Sequence, residues 1–165
     1  MHDKYVAIAD EDDNVIGKAT WKEAHEKGMI TRAANVLVFN SKGELLVHKR
    51  SRSLPTFPGM YDIKLGGVVD DGEGYEETAL RELKEEAGIE NAKLKFLFYF
   101  KYRSDEYKNN RKVYSCIYNG KVRLQEEEIE EGKFVTLDEA KKLVAGSDVS
   151  PSAAEVFWEF LKRNE

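Results

Sequence analysis

Cysteine occurs once in this 165-residue chain, at Cys116, so no disulfide can form within it. A reduced, cytoplasmic setting is therefore the expectation. Proline occurs three times, and no Pro- or Ser-rich linker, low-complexity stretch or internal repeat interrupts the chain. A single domain over residues 1–165 follows, with 1–30 as an N-terminal hairpin and short helix and 31–165 as the core. Long apolar runs are also missing. The longest span about four residues, far short of a membrane-spanning helix, so no membrane partner is expected. The opening residues Met1-His2-Asp3-Lys4 lead into an acidic turn and lack the apolar stretch of a secretory signal. Positive charge is in deficit too. A net charge of −5 argues against nucleic acid as the main partner.

What the chain does have is acid in one place. Residues 70–90 hold nine acids against Arg81 and Lys84, a window of −7 that leaves +2 for the remainder. A second acidic run, Glu126 to Glu131, follows downstream and is broken only by Ile129. Negative charge gathered this way in a folded chain either faces water or holds cations.

The periodicity predicts a strand at Tyr5–Ile8, a turn over Asp10–Asn14 and a short strand at Val15–Gly17. Thr20 caps a short helix over Trp21–Glu26 that Gly28 stops. Ala33–Asn40 and Glu44–Lys49 form a hairpin about Asn40-Ser41-Lys42-Gly43. Asp62–Leu65 is strand-like, and Gly66–Gly74 reads as a Gly- and Asp-rich loop. Residues 75–87 make the clearest helix, with Ala79, Leu80, Leu83 and Ala87 on one face and Gly88 as its stop. Leu94–Tyr102, Val113–Tyr118 and Gly132–Val135 read as strands. Thr136-x-x-Glu139 is a capping box opening a helix to Val144, and Ser150-Pro151 opens a last helix to about Lys162. Strands before and after a central helix make an α+β or layered α/β/α class.

On the 75–87 helix, at about 100° per residue, Glu86 falls near +40° and Glu85 near −60° from Glu82. Three carboxylates thus share an arc roughly 100° wide beside the apolar face. Like charges at these spacings cost the helix about 0.2–0.5 kcal/mol per pair, and only Arg81 is placed to compensate. A divalent cation with a taste for hard oxygen, such as Mg²⁺, turns that crowding into a binding platform. Paired Gly66-Gly67 just upstream allows close backbone approach. Glu73, at the loop-to-helix junction, either steadies the loop or joins the metal shell. Taken singly, an acidic helix face is most often a solvated surface and Gly-Gly a turn.

Taken together, these residues resemble the Nudix family. Gly67, five residues, Glu73, seven residues, then Arg81-Glu82-Leu83-Lys84-Glu85-Glu86-Ala87-Gly88-Ile89 is similar to a complete Nudix box. A chance match of every position is on the order of one in a million. The resemblance implies an α/β/α sandwich with a mixed central sheet. It also implies hydrolysis of a diphosphate bond in a nucleoside diphosphate linked to another group, dependent on Mg²⁺ or, alternatively, Mn²⁺. By position, Glu82, Glu85 and Glu86 would bind metal, one of them acting as base, and Arg81 would brace them. The Gly66 carbonyl would add a ligand. A later glutamate is implied as well; Glu126, Glu127 and Glu128 are the candidates, with Glu128 preferred. A homodimer is a family habit.

A longer stretch resembles the isopentenyl diphosphate isomerase branch. Ala24-His25, Arg32-Ala33, Val38-Phe39-Asn40, Lys42-Gly43, Leu45-Leu46-Val47, Lys49-Arg50 and Phe57-Pro58-Gly59 track it in order. The isomerase chemistry does not follow. Gly66-Gly67-Val68 stands where that branch has its catalytic Cys and a metal-binding His, Thr31 replaces a second His, and Arg111-Lys112-Val113 lacks its later glutamates. The expectation is an isomerase-like scaffold running hydrolase chemistry. An isomerase and a non-catalytic nucleotide-binding module are the rival readings.

Among other residues, Lys49, Arg50 and Arg52 are candidates for substrate phosphates, and Phe57, Tyr61, Tyr99 and Tyr102 for base stacking or for the core. His25 is expected at the surface or as a cap, His48 as an exposed strand residue and Cys116 in the core.

Overall fold

The computed structural model describes residues 4–164; Met1, His2 and Asp3, on which the reading of the N-terminus partly rests, lie outside the described residues. The elements are β1 (Tyr5–Ala9), β2 (Val15–Thr20), α1 (Trp21–Glu26), β3 (Ile30–Phe39), β4 (Leu45–Arg50), β5 (Tyr61–Asp62), β6 (Leu65–Val68), α2 (Tyr75–Ala87), β7 (Lys95–Arg103), β8 (Lys108–Ile117), β9 (Ile129–Val135), α3 (Leu137–Val144) and α4 (Pro151–Arg163).

Strand β3 organises the sheet. Along one edge it pairs parallel with β8 over its full length, from Ile30↔Lys108 to Phe39↔Ile117. Its other edge is shared by β1 at Ile30 and Thr31, β6 at Ala33–Val36 and β4 at Phe39, all antiparallel. Strand β7 extends the sheet beyond β8, and β9 and β5 both pair with β4. This is a mixed sheet of the α+β class.

Alternation along β3 sends Val36 and Val38 into the core that Ala79, Leu83 and Ala87 of α2 close. Leu37 points the other way, into the core under Val156 and Phe157 of α4 and Ala140 and Val144 of α3. Helices thus cover both faces, which is why the strand reads as nearly continuous apolar residues. The N-terminal hairpin joins the same sheet, with Val6, Ile8 and Ala19 packed on Ala24 of α1.

Helices α1, α2 and α3 begin and end at their expected residues. Gly88 ends α2 at φ +67°, its N–H donating to the Lys84 carbonyl while Ile89 donates to Leu83. Four expectations need correction. Gly66 and Gly67 are not in a loop but inside β6, paired with Asn35 and Ala34. Strand β8 begins at Lys108, five residues before Val113, because the polar run Asn109-Asn110-Arg111 is buried on partners distant in sequence. Strand β9 begins at Ile129, within the acidic run. Leu80, at the margin of the α2 apolar face, is 39% exposed, whereas Leu83 is fully buried.

Candidate active site

The site is built where α2 crosses β6. Gly66 adopts φ +144°, and a Cβ there would overlap the Ala34 carbonyl oxygen. At Gly67 a Cβ would stand 2.5 Å from Oε1 of Glu82. The two glycines therefore let the helix lay its carboxylates directly on the strand backbone. Glu86 uses this approach: its Oε1 accepts the Gly66 N–H at 2.8 Å.

Arg81 ties the remaining acids together. Its Nε and Nη2 donate to the two oxygens of Glu73, each at 2.9 Å, the bidentate geometry that suits a guanidinium. Nη1 donates to Glu82 at 3.0 Å and to Glu85 at 3.4 Å, and Asp70 lies 3.4 Å from Nη2. Glu73 in turn accepts from the Asp70 N–H and the Thr78 hydroxyl. It steadies the turn into α2, and its bond to Arg81 holds its carboxyl below the usual range while raising the guanidinium.

The electrostatics single out Glu82 and Glu86. Glu86 is 7% exposed. Burial, and then the neighbouring Glu82 charge, push its carboxyl well above the ordinary range. Burial raises Glu82 too, against the pull of Arg81, with Glu85 and Glu128 adding to the rise. Carboxylates desolvated together in this way favour a further cation beside them.

Both line a cavity of about 660 Å³ between α2, β6 and the Pro55–Phe57 loop. Of the expected site residues, Gly66, Arg81, Glu82, Glu86, Glu128 and Arg50 line it. Glu127 does so as well, whereas Glu126 does not. Glu85 is exposed at its rim and held by Arg81 rather than directed inward. Lys49 does not line the cavity; as the strand neighbour of Arg50 it faces the other way, with its ammonium over the Tyr61 ring. Arg52 is exposed and pairs with Glu130. Phe57 lines the cavity, while Tyr61, Tyr99 and Tyr102 do not.

Among the described residues, no three His, Cys, Asp or Glu side chains stand in position to chelate an ion. The reason is visible in the contacts above: Arg81 draws Glu82 and Glu85 to itself, and Glu86 turns to the backbone of Gly66. The donor set nonetheless fits a hard divalent cation, being oxygen only, partly desolvated and short of positive charge.

His48 departs from its expected exposure. It is buried on β4, its ring Nε2 bonded to the Lys64 carbonyl at 2.8 Å, and burial lowers its pKa. His25 stacks on Trp21, and both line the cavity. Cys116 is buried in the core under α2, outside the cavity, where burial pushes its thiol up to about 11. Sequence reasoning missed Asn35, Asp62, Lys64 and Arg111 on the cavity wall. Only Asn35 carried a local signal, a lone amide within an apolar strand.

A family model described as the NUDIX domain matches residues 29–154. The chain belongs to the NUDIX family. An uncharacterised Nudix hydrolase of Pseudomonas aeruginosa is 40% identical over 146 residues, 84% of this chain and 84% of its own length. The uncharacterised Nudix hydrolase YfcD of Escherichia coli K12 is 32% identical over 169 residues, 98% of this chain and 88% of its own. Among solved structures, DR0079 from Deinococcus radiodurans superposes with a TM-score of 0.82 at 25% identity, covering 94% of this chain and 98% of that one. The NUDIX domain of Shewanella oneidensis NrtR, complexed with ADP ribose, superposes at 0.66 and 16% identity over 89% of this chain and 100% of its own, a likeness of fold. As a Nudix hydrolase, this chain acts on pyrophosphate bonds, in a family that generally uses divalent cations. No helix among the described residues is long and apolar enough to cross a membrane.

Proposed function

We propose that this Nudix hydrolase cleaves the diphosphate bond of a nucleoside diphosphate linked to another group, with Mg²⁺ as its cation. The observation that carries the reading is the Glu82–Glu86 pair beside the backbone of Gly66, both carboxyls raised first by burial, Glu86 then by the Glu82 charge and Glu82 by Glu85 and Glu128. Such a pair is unfavourable by itself and becomes favourable with a divalent ion.

Glu82 and Glu86 would hold the ion, with Glu128 and the Gly66 carbonyl completing its protein ligands and Glu85 closing the rim. Bound there, Mg²⁺ supplies charge neutralisation on the phosphate oxygens and a water of lowered pKa. Arg81 keeps the carboxylates in register and balances their charge when substrate leaves. One of the glutamates takes the proton of the attacking water. Arg50, fixed by its bonds to the Thr56 carbonyl and hydroxyl, faces the same cavity and would meet substrate phosphate. The likeness to the isomerase branch is read as one of scaffold. Cys116 offers no thiol to this cavity.

A hydrolysis screen over nucleoside diphosphate derivatives, with Mg²⁺ and with EDTA, tests the proposal. Glu86→Gln should remove several kcal/mol of transition-state stabilisation, roughly a thousandfold or more in kcat. Equal residual activity in wild type and variant across the panel would sink it.

A further inference from the structure

A second group of charged side chains lines the same cavity. It comprises Arg50, Lys64 and Arg111, with Asp62 as the carboxylate among them. Lys64 donates from Nζ to Asp62 at 3.1 Å, the two side chains 9% and 3% exposed. Arg111 donates from Nη1 to the Asn35 amide oxygen at 2.6 Å. Its Nε is buried and has no partner among the described residues. Glu155 acts on Arg111 from α4 and is not part of the lining. Three cations against one carboxylate leave this group two charges positive.

Cations removed from water without matching anions are unfavourable, and burial lowers both Lys64 and Arg111. A buried guanidinium with an unused donor beside a cavity is an arrangement that an anion completes. The position specifies which anion. Lys64 stands two residues before Gly66, whose N–H holds Glu86. Asn35, the partner of Arg111, is the β3 residue paired with Gly66. The basic side chains therefore begin beside the glycine that holds Glu86. A ligand bridging the two sets of side chains carries a metal-bound phosphoryl group and a second anionic group beside it.

The geometry points to a second phosphoryl subsite formed by Arg111 and Lys64, which takes the substrate phosphate adjacent to the one held at Glu82 and Glu86. Its assignment to substrate rests on the pyrophosphohydrolase reading; the anion site itself does not. The two sets together favour substrates in which neighbouring phosphoryl groups both enter the cavity, so inorganic pyrophosphate is the minimal probe.

Calorimetric titration with pyrophosphate in EDTA tests the subsite. Wild type and Glu86→Gln should both bind. Arg111→Met should bind roughly thirtyfold or more weakly, the usual scale for removing one partner of a buried charge pair. Its melting temperature without ligand should equal or exceed that of wild type, since an unmatched buried cation has gone; a structural role for Arg111 predicts the reverse. If Arg111→Met does not fold, Arg111→Gln, which keeps a donor for Asn35, carries the same expectation. Binding unchanged by loss of the Arg111 charge, or no binding by wild type, overturns the subsite. Pyrophosphate bound in EDTA with no turnover of any nucleotide overturns the hydrolytic reading and leaves the subsite standing.

Discussion

Glu86 shows how one side chain can set the pH response of the whole chain. Its carboxyl is raised on folding because burial, then Glu82, disfavours its charge. A group raised in this way stabilises the fold below its unfolded value, near 4.5, and that contribution is lost as pH rises through the folded value. In EDTA, the urea midpoint of wild type should therefore fall relative to that of Glu86→Gln as pH rises above 4.5. Parallel profiles would mean that Glu86 is not perturbed by its surroundings. Arg81 acts differently. It is shared among Glu73, Glu82, Glu85 and Asp70, so it positions several carboxylates at once. Cys116, buried and with its thiol pushed up, is chemically quiet by comparison.

Strand β6 and helix α2 are the elements that make the site, and each has a residue pair that separates packing from chemistry. Gly66→Ala sets a Cβ against backbone at a positive φ, where neither side can yield. It should cost about 3 kcal/mol or more in a denaturant titration. Gly67→Ala instead meets the Glu82 side chain, whose carboxylate can swing aside. Stability should change by less than about 1 kcal/mol while hydrolysis falls steeply; retention of full activity would show that Glu82 need not lie on the strand. On α2, Leu83→Ala should cost about 3–5 kcal/mol, because the side chain is fully buried under the sheet. Leu80→Ala, one turn-edge away and 39% exposed, should cost less than about 1 kcal/mol. Similar losses at both would place Leu80 in the core after all.

At the scale of the molecule, the cavity brings acidic and basic side chains together from elements far apart in sequence. Magnesium should couple to global stability through the acidic side chains. At a hundredfold excess over its Kd it stabilises by about 2.7 kcal/mol, a rise in Tm of roughly 5–10 °C for a chain of this size. Glu86→Gln should show only a small part of that rise by scanning calorimetry, and a full rise would move the cation elsewhere. Much of this molecule was legible beforehand. The three helices bounded by caps and glycines, the sandwich class and the carboxylate helix all follow from signals local in sequence: 3.6-residue periodicity, capping boxes and box spacing. What stayed hidden depends on contacts between distant segments. His48 looks like an exposed strand residue until β5 and Lys64 close over it. Asn109, Asn110 and Arg111 lie ahead of the strand expected at Val113, and parallel pairing with β3 buries them. Local periodicity decides which way a helix faces, so the sequence by itself determined the acidic half of the site. Burial and charge balance depend on what packs around a side chain, so only the tertiary structure could decide that Lys64 and Arg111 line the same cavity.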